Sequence, residues 1–240
     1  MEGAANDAAT LPRRDLSPPS PNCMTQRGVL DNRPLTIDIG WKVDKHRRVP
    51  APIIVLNGAS SSGKTTLARA LQDLWPRPLF LTGIDTFLLG WPESFATFPG
   101  DDGSLAAPSA GVRIVRGFGP APSWIPEFGA DFHSIMRLAH ESWALMSKGG
   151  VNLVIDHVLI DPTLRDQAKD TLVGAFWVGV MCDVDELIRR ETDRGDRHVG
   201  FASGTSAVVH REMSYDLVID TTATSTELLA RQVYDAVIAS

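Results

Sequence analysis

The sequence has few cysteines, no long apolar run and no excess of positive charge, and each absence excludes a class of protein. Cys23 and Cys182 are the only cysteines among 240 residues, too few for a disulfide framework, which points to a reducing, cytoplasmic setting. No stretch of 18 consecutive apolar residues occurs, so we expect no transmembrane helix and no membrane partner. The net charge of −6 argues against general nucleic-acid binding, which needs a basic surface.

The first 50 residues differ from the rest of the chain in charge and in proline content. They hold eight basic and six acidic side chains, a net charge of +2, so the remaining 190 residues carry −8. Six of the 16 prolines also lie there. We therefore expect residues 1–50 to form a disordered extension and residues 51–240 to form the folded domain. For residues 37–43, where apolar and other residues alternate, a short edge strand or a flap is the alternative.

Short apolar runs alternate with segments of helical spacing through the folded domain. Such runs are typical of strands that are buried on both faces of a parallel sheet. The order of the segments predicts an α/β three-layer sandwich, with a five-stranded parallel sheet flanked by helices. The stretch 90–130 is rich in Gly and Pro without a clear period, so we expect a long loop or lid there. The predicted strands are Ile53–Leu56, Leu79–Leu81, Val151–Ile155, Ala175–Met181 and Tyr215–Ile219.

The segment G-A-S-S-S-G-K-T at Gly58–Thr65 fits the phosphate-binding motif G-x-x-x-x-G-K-[ST]. It lies between a predicted buried strand and a predicted helix, whose N-terminus adds a partial positive charge. We expect Lys64 to reach the β- and γ-phosphates of a nucleotide and the Thr65 hydroxyl to coordinate Mg²⁺. The predicted nucleotide-binding residues are Gly58, Ala59, Ser60, Ser61, Ser62, Gly63, Lys64, Thr65 and Thr66.

Several classes of nucleotide-binding protein are disfavoured by missing motifs. The chain has neither the N-K-x-D nor the D-x-x-G motif of GTPase switches, and it lacks the L-S-G-G-Q signature of transport ATPases. A domain of about 190 residues also leaves little room for the extra domains of motor ATPases. A compact small-molecule kinase is favoured. A non-catalytic nucleotide-binding regulatory protein is the alternative from another class.

Two aspartates follow predicted strands and are expected at the sheet edge where the phosphate-binding loop lies. Asp85 comes directly after the second strand and is the candidate base that orients and deprotonates an acceptor hydroxyl. Asp156 ends the third strand and is a candidate Mg²⁺ ligand, directly or through water. A helix N-cap for Asp85 and a solvated strand end for Asp156 are the structural alternatives. We interpret the neighbouring His157 as structural rather than as a metal ligand.

A cluster of arginines follows the fourth strand. Asp183 and Glu186 form a capping box that predicts a helix start, and Arg190 and Arg194 share one face of that helix. Together with Arg197 they are suited to binding the oxygens of a transferring phosphoryl group. A solvated charged surface is the alternative for these arginines.

These motifs together resemble the chloramphenicol phosphotransferase-like family of P-loop kinases, over residues 52–222. The resemblance implies an ATP-dependent kinase that phosphorylates a hydroxyl of chloramphenicol and so inactivates the antibiotic. It also implies that Asp85 activates the hydroxyl and that Arg190, Arg194 and Arg197 belong to a lid at 190–205. The segments that carry it are Ile54–Thr65, Gly83–Asp85, Val154–Asp156, Trp177–Val180, Cys182-Asp183, Arg190–Thr192, Arg194–Arg197, Tyr215-Asp216 and Asp220–Thr222.

Two departures from the family pattern lie within the folded domain, and the second leaves the acceptor open. The family commonly has two aspartates where this chain has Asp156-His157. The stretch 90–130 also matches the family poorly. Its aromatic residues could pack against an aromatic acceptor or form core. A kinase for another hydroxylated metabolite or antibiotic is therefore kept beside a chloramphenicol-like acceptor. The aromatic residues are Trp91, Phe95, Phe98, Trp124 and Phe128.

Overall fold

The computed structural model describes residues 51–92, 95–97, 111–117, 123–194 and 199–240. The expectations for residues 1–50, for Phe98 and for Arg197 lie outside the described residues and stay predictions. The strands are β1 (Ile53–Gly58), β2 (Leu79–Gly83), β3 (Ala96–Thr97), β4 (Val112–Arg116), β5 (Trp124–Phe128), β6 (Asn152–His157), β7 (Phe176–Met181) and β8 (Leu217–Asp220). The helices are α1 (Lys64–Leu74), α2 (Ile84–Leu88), α3 (Ala130–Lys148), α4 (Pro162–Thr171), α5 (Val184–Arg194), α6 (Phe201–Ser206) and α7 (Thr226–Ala239).

The main sheet has five parallel strands in the order β2-β6-β1-β7-β8. Each predicted strand is present, so the predicted α/β sandwich with a five-stranded parallel sheet is confirmed. β1 lies at the centre and is buried along its whole length. Because β1 is flanked by β6 and β7, its carboxyl end is the middle of one sheet edge. The loop that follows β1 therefore lies between the carboxyl ends of β6 and β7, with those of β2 and β8 farther out.

Helices cover both faces of the sheet and bury alternate residues of the same strands. Ile53 and Val55 of β1 belong to an apolar core that also contains Phe132 and Met136 of α3. The intervening residues of β1 face a second core, formed with α1 and α7. This two-sided burial explains why the strand is a continuous apolar run rather than an alternating one. Among the described residues, no helix combines the length and the apolar character needed to cross a membrane.

The expectation of a long loop at 90–130 is wrong for part of that stretch. β4 and β5 pair antiparallel, and β3 pairs with β4, so the three strands form a second, smaller sheet. Val112 and Ile114 are buried while Arg113 between them is more exposed, which is a period of two. The alternation extends over only five residues, and the facing strand contains Pro126. Both features weaken a strand signal in the sequence.

Candidate active site

The phosphate-binding loop connects β1 to α1, and two glycines allow its conformation. Gly58 lies so close to β7 that a Cβ atom there would be 2.5 Å from the Val180 carbonyl oxygen. Gly63 directly precedes α1 with a φ of +85°, in the left-handed region that favours glycine. The loop also holds Ser61 at a φ of 62°. The chain can therefore turn tightly from the central strand into the N-terminus of α1.

The inside of this loop contains polar groups suited to an anion. The Oγ atoms of Ser61 and Ser62 are buried without a hydrogen-bond partner. Lys64 is 5% exposed, and its Nζ donates a hydrogen bond of 2.8 Å to the Ala59 carbonyl. Buried hydroxyls are rarely left unpaired, because the lost hydrogen bond costs free energy. Nucleotide phosphates would give these groups acceptors, so the residues present fit a phosphate chain.

Asp156, at the end of β6, contacts the start of α1. Its Oδ2 accepts a hydrogen bond of 2.5 Å from the Thr65 hydroxyl, and its Oδ1 lies 3.6 Å from Lys64 Nζ. β6 lies beside β1 with Asp156 opposite Leu56, which places the carboxylate next to the loop. The structure thus brings together Lys64, predicted to bind the nucleotide phosphates, and the two predicted Mg²⁺ ligands. A hydroxyl and a carboxylate are also the oxygen ligands that Mg²⁺ prefers, so this pair fits the metal.

Asp85 lies at the same edge of the sheet. It is exposed in the first turn of α2, which begins directly after β2. The last residue of β2, Gly83, pairs with Asp156 of β6. A Cβ atom on Gly83 would lie 2.2 Å from the Asp156 carbonyl oxygen, so the two strand ends approach closely only with glycine there. The pairing of Gly83 brings the start of α2, and with it Asp85, beside the carboxyl end of β6, where Asp156 lies.

Arg190 of α5 is anchored on two sides. Its Nε donates to Glu186 Oε1 at 2.7 Å, and its Nη2 donates to the Thr221 carbonyl at 2.6 Å. Hydrogen bonds from Arg189 and Arg190 lower the pKa of Glu186 to about 2. The Arg190 Nη1 atom would be 3.6 Å from a Cβ atom on Gly63, so the guanidinium lies against the phosphate-binding loop.

The capping box predicted at the start of α5 forms by half. Asp183 Oδ1 accepts hydrogen bonds from the Asp185 and Glu186 N–H groups, at 2.9 and 3.4 Å. In the reciprocal bond of a capping box, the Glu186 carboxylate would accept the Asp183 N–H. Here that carboxylate accepts hydrogen bonds from Arg189 and Arg190 instead. The Thr222 hydroxyl accepts the Asp183 N–H at 2.9 Å in its place. The Glu186 carboxylate therefore pairs with Arg190 and does not cap the helix.

An open cleft of about 380 Å³ lies beside the loop, between α5 and the N-terminus of α7. Two of the predicted lid arginines, Arg190 and Arg194, line it, whereas Arg197 lies outside the described residues. Thr66 also lines it, which places this predicted nucleotide-binding residue in the cleft. The other lining residues are Ser61, Gly63, Leu67, Asp193, Thr221, Thr224, Thr226 and Leu229.

Comparison with known proteins identifies the family. The model of the family described as chloramphenicol phosphotransferase-like protein matches residues 51–238. The chain belongs to this family. Proteins of two Mycobacterium tuberculosis strains, both named "Putative O-phosphotransferase", are 31% identical to it over 195 residues, which are 77% of this chain and 81% of the relative. The resemblance predicted from the sequence is confirmed, and membership of this family supports a phosphotransferase that acts on hydroxyl groups.

Solved structures support the same fold for this member of the chloramphenicol phosphotransferase-like family. A sugar kinase from Janibacter sp. superposes with a TM-score of 0.53 at 18% identity, over 79% of this chain and 95% of that chain. The APS kinase CysC of Mycobacterium tuberculosis, in complex with AMPPNP and APS, superposes with a TM-score of 0.51 at 16% identity. The match covers 79% of this chain and 99% of that chain. At these identities the likeness concerns the fold.

Sequence reasoning missed the residues that attach α6 to the site in this family member. The Glu191 carboxylate is 1% exposed and accepts hydrogen bonds from the Gly200 and Ala202 N–H groups, at 2.6 and 2.9 Å. Thr205 of α6 accepts the Ser60 N–H at 3.1 Å and so connects the helix to the phosphate-binding loop. The sequence signal for Glu191 is its position four residues after buried Leu187, on the inward face of α5.

Asn57, the residue before the loop, is a buried polar anchor. It is 0% exposed, and its Oδ1 accepts the Leu159 N–H at 2.8 Å. Its Nδ2 donates to the Val209 carbonyl at 3.0 Å and to the Tyr215 hydroxyl at 2.8 Å. The three hydrogen bonds of this side-chain amide therefore reach three different positions in the chain. Asn57 therefore fixes the end of β1 from which the loop starts.

His157 pairs with His140 of α3, with 3.0 Å between their Nε2 atoms. His157 Nδ1 accepts the Val158 N–H at 3.0 Å, so the proton of its neutral ring is on Nε2 and is donated to His140. Burial lowers the pKa of His140 to about 4. Burial, followed by the charges of His140 and Lys64, holds the pKa of His157 well below its usual value. The pair is neutral and packs α3 against β6, which agrees with a structural role for His157.

Proposed function

We propose that the protein transfers the γ-phosphoryl group of ATP to a hydroxyl of a small molecule, with a chloramphenicol-like alcohol as the first candidate acceptor. The observation that carries the proposal is the cluster of Lys64, Thr65 and Asp156 around the loop, at the edge where β2 delivers Asp85. A nucleotide-binding protein without transfer activity would not need an acceptor-side carboxylate at this edge.

The nucleotide would occupy the loop and the adjoining cleft. The phosphates would lie against N–H groups of the loop and against the Ser61 and Ser62 hydroxyls. These two hydroxyls have no other hydrogen-bond partner. Lys64 would exchange its bond to the Ala59 carbonyl for phosphate oxygens. The nucleoside would lie in the cleft of about 380 Å³, along the anchored guanidinium of Arg190. Arginine is suited to this position because its planar group stacks on aromatic rings.

Thr65 and Asp156 would hold Mg²⁺ through the two oxygen atoms that now share a hydrogen bond. The metal supplies charge neutralisation at the phosphates when it is bound. The chain itself contributes Lys64, 3.6 Å from the same carboxylate, as a second positive charge. Asp156 thus orients Lys64 and Thr65 together.

Asp85 would act as the base for the acceptor. Its carboxylate takes the hydroxyl proton as the acceptor oxygen forms a bond to the γ-phosphorus, and the bond from that phosphorus to the bridging oxygen breaks to leave ADP. Arg194 and Arg197 would neutralise the charge on the transferring group. Closure of the 190–205 segment over the site would exclude water and limit ATP hydrolysis.

Aromatic side chains near α2 support an aromatic acceptor. Trp91 and Phe95, both partly exposed, stack with their ring centroids 3.8 Å apart shortly after α2. Phe128 is partly exposed and stacks on Phe132, which is fully buried core. Trp91 and Phe128 both pack against this core, which is the other role predicted for them, so only their exposed sides are available to an acceptor. Phosphorylation would give such an alcohol a double negative charge and remove its hydroxyl donor, and this change would inactivate an antibiotic in the cytoplasm. Another hydroxylated metabolite or antibiotic is the second candidate, because the sequence of the 90–130 stretch leaves the acceptor open.

The test is incubation of the protein with Mg·ATP and a panel of hydroxylated antibiotics and metabolites that includes chloramphenicol. Mass spectrometry would detect one added phosphoryl group on the acceptor. We expect a product from at least one aromatic alcohol. ATP hydrolysis that no acceptor changes would favour the regulatory alternative, and a product only from a non-aromatic metabolite would favour the second candidate.

A further inference from the structure

Thr221, the residue after β8, contacts three elements of the active site at once. It is 8% exposed, and its N–H donates a 3.0 Å hydrogen bond to the Met181 carbonyl of β7. Its hydroxyl lies 2.9 Å from the Ser62 carbonyl oxygen of the phosphate-binding loop. Its own carbonyl accepts the Arg190 Nη2–H at 2.6 Å. Ser62 and Thr221 are 159 residues apart in the sequence.

The direction of the Thr221 hydroxyl hydrogen follows from its neighbours. The Met181 carbonyl, 3.1 Å away, already accepts the Thr221 N–H. The Ser62 carbonyl is nearer, at 2.9 Å, so the hydroxyl donates to it. The oxygen lone pairs then face Arg190 Nη1, a donor 3.3 Å away. One hydroxyl therefore connects a carbonyl of the loop to the guanidinium that lines the cleft.

Fixing the Ser62 carbonyl also fixes the next N–H group. In a trans peptide the C=O and N–H bonds point in opposite directions. The bond from Thr221 to the Ser62 oxygen therefore turns the Gly63 N–H to the other side of the peptide, away from Thr221. Gly63 directly precedes α1, where backbone N–H groups bind phosphates. Rotation of this peptide would remove one phosphate donor from the loop.

We propose that Thr221 is a positioning residue for the nucleotide: its hydroxyl orients the Ser62–Gly63 peptide and the Arg190 guanidinium together. The inference rests on the proposed function, because it takes the loop and the cleft as the site of ATP. It assigns Thr221 no contact with the reacting atoms. The consequence is that the hydroxyl sets ATP affinity, whereas the rate at saturating ATP does not depend on it.

The test compares Thr221→Val, which keeps the shape and removes the hydroxyl, with Thr221→Ser, which keeps the hydroxyl. Thr192→Val is the matched control, because it removes an exposed hydroxyl of α5 that donates to the Ile188 carbonyl of the same helix. Calorimetric titration with Mg·ATP gives the Kd without any acceptor. We expect Thr221→Val to weaken ATP binding about tenfold, since two polar groups lose a partner, and Thr221→Ser to stay within about threefold of wild type. With acceptor present, KM for ATP should rise in Thr221→Val while kcat stays within about threefold.

Equal ATP affinity in wild type and a folded Thr221→Val would overturn the proposal. So would a Thr221→Ser variant that binds ATP as weakly as Thr221→Val, or a Thr192→Val variant weakened to the same degree. If Thr221→Val does not fold, Thr221→Ala removes the same hydroxyl from a smaller side chain and is measured in its place. A wild-type protein that binds ATP but phosphorylates no acceptor would end the proposed function. Tenfold weaker binding by Thr221→Val would still support the role of Thr221 in that case.

Discussion

The Thr65 hydroxyl lies 2.5 Å from the Asp156 carboxylate, although 91 residues separate the two in sequence. Thr65 is in the first turn of α1 and Asp156 is near the end of β6, which is the neighbour of β1 in the sheet. The contact therefore depends on the strand order rather than on local sequence. It places two hard oxygen ligands together beside Lys64, where the proposed Mg²⁺ and the nucleotide phosphates would meet.

Substitution of Asp156 tests this arrangement. Asp156→Asn keeps an oxygen acceptor for Thr65 but removes the charge that faces Lys64 and the metal. We expect the Mg²⁺ concentration for half-maximal activity to rise at least about tenfold. Asp170→Asn, an exposed substitution near the end of α4, is the matched control. An unchanged Mg²⁺ requirement in Asp156→Asn would remove this residue as a metal ligand.

Gly83→Ala tests the close approach of β2 to β6. The new Cβ atom would lie 2.2 Å from the Asp156 carbonyl oxygen, so the end of β2 must move. We expect a loss of about 1–3 kcal/mol in the free energy of unfolding, measured with urea, together with a lower kcat. Gly90→Ala is the control, because its Cβ would lie 3.6 Å from the Thr86 carbonyl, an ordinary contact. Equal stability of the two variants would contradict the close approach.

Glu191→Gln tests the attachment of α6 to α5. The glutamine amide has one accepting oxygen, so the Gly200 or the Ala202 N–H would face an NH₂ group. We expect unfolding in urea to require about 1–3 kcal/mol less free energy than in wild type. Glu141→Gln removes an exposed pair with Arg137 and should cost less than about 0.5 kcal/mol. If Glu191→Gln and Glu141→Gln lose the same small free energy of unfolding, the Glu191 carboxylate does not hold α6.

The buried histidine pair predicts loss of stability in acid. Burial lowers the pKa of His140 to about 4 in the folded protein, against about 6.5 in the unfolded chain. The folded state therefore binds fewer protons, and the stabilisation is complete above pH 6.5 and is lost as the pH falls toward 4. His140→Gln keeps an acceptor for His157 and does not titrate.

The measurement is the free energy of unfolding of both proteins at pH 7.5 and pH 4. We expect the wild type to lose on the order of 3 kcal/mol more than His140→Gln between these two values. A constant difference between the two proteins at both pH values would show that His140 does not titrate on unfolding.

Much of the fold could be predicted because its signals are local. β1 is apolar on both faces, and the phosphate-binding motif follows it directly. Asp85 comes shortly after a strand, and Asp156 lies near the end of one. The sequence did not predict β4 and β5, because each strand has only five residues and shows too short an alternation of apolar and polar side chains. Pro126 in β5 weakens the strand signal further.

The contacts that complete the site are not local. Thr221 contacts Ser62 across 159 residues, and Glu191 binds N–H groups that only the folded chain brings to it. A threonine after a strand and a glutamate in a charged helix are ordinary surface residues by sequence. The sequence places Arg190 in a charged cluster, but it does not show that the Arg190 guanidinium binds the Thr221 carbonyl. Polar pairing between distant segments is thus what sequence patterns leave out.

The most direct test of the central claim follows the γ-phosphoryl group itself. Isotope-labelled ATP would be mixed with the acceptor found in the panel and with wild type, Lys64→Ala, Asp85→Asn or Asp170→Asn, and the label would be located by mass spectrometry. We predict that wild type and Asp170→Asn place the label on the acceptor, and that Asp85→Asn binds ATP normally but transfers at least about a hundredfold more slowly. Lys64→Ala should lose both binding and transfer. Label found only in inorganic phosphate, or full transfer by Asp85→Asn, would contradict the account.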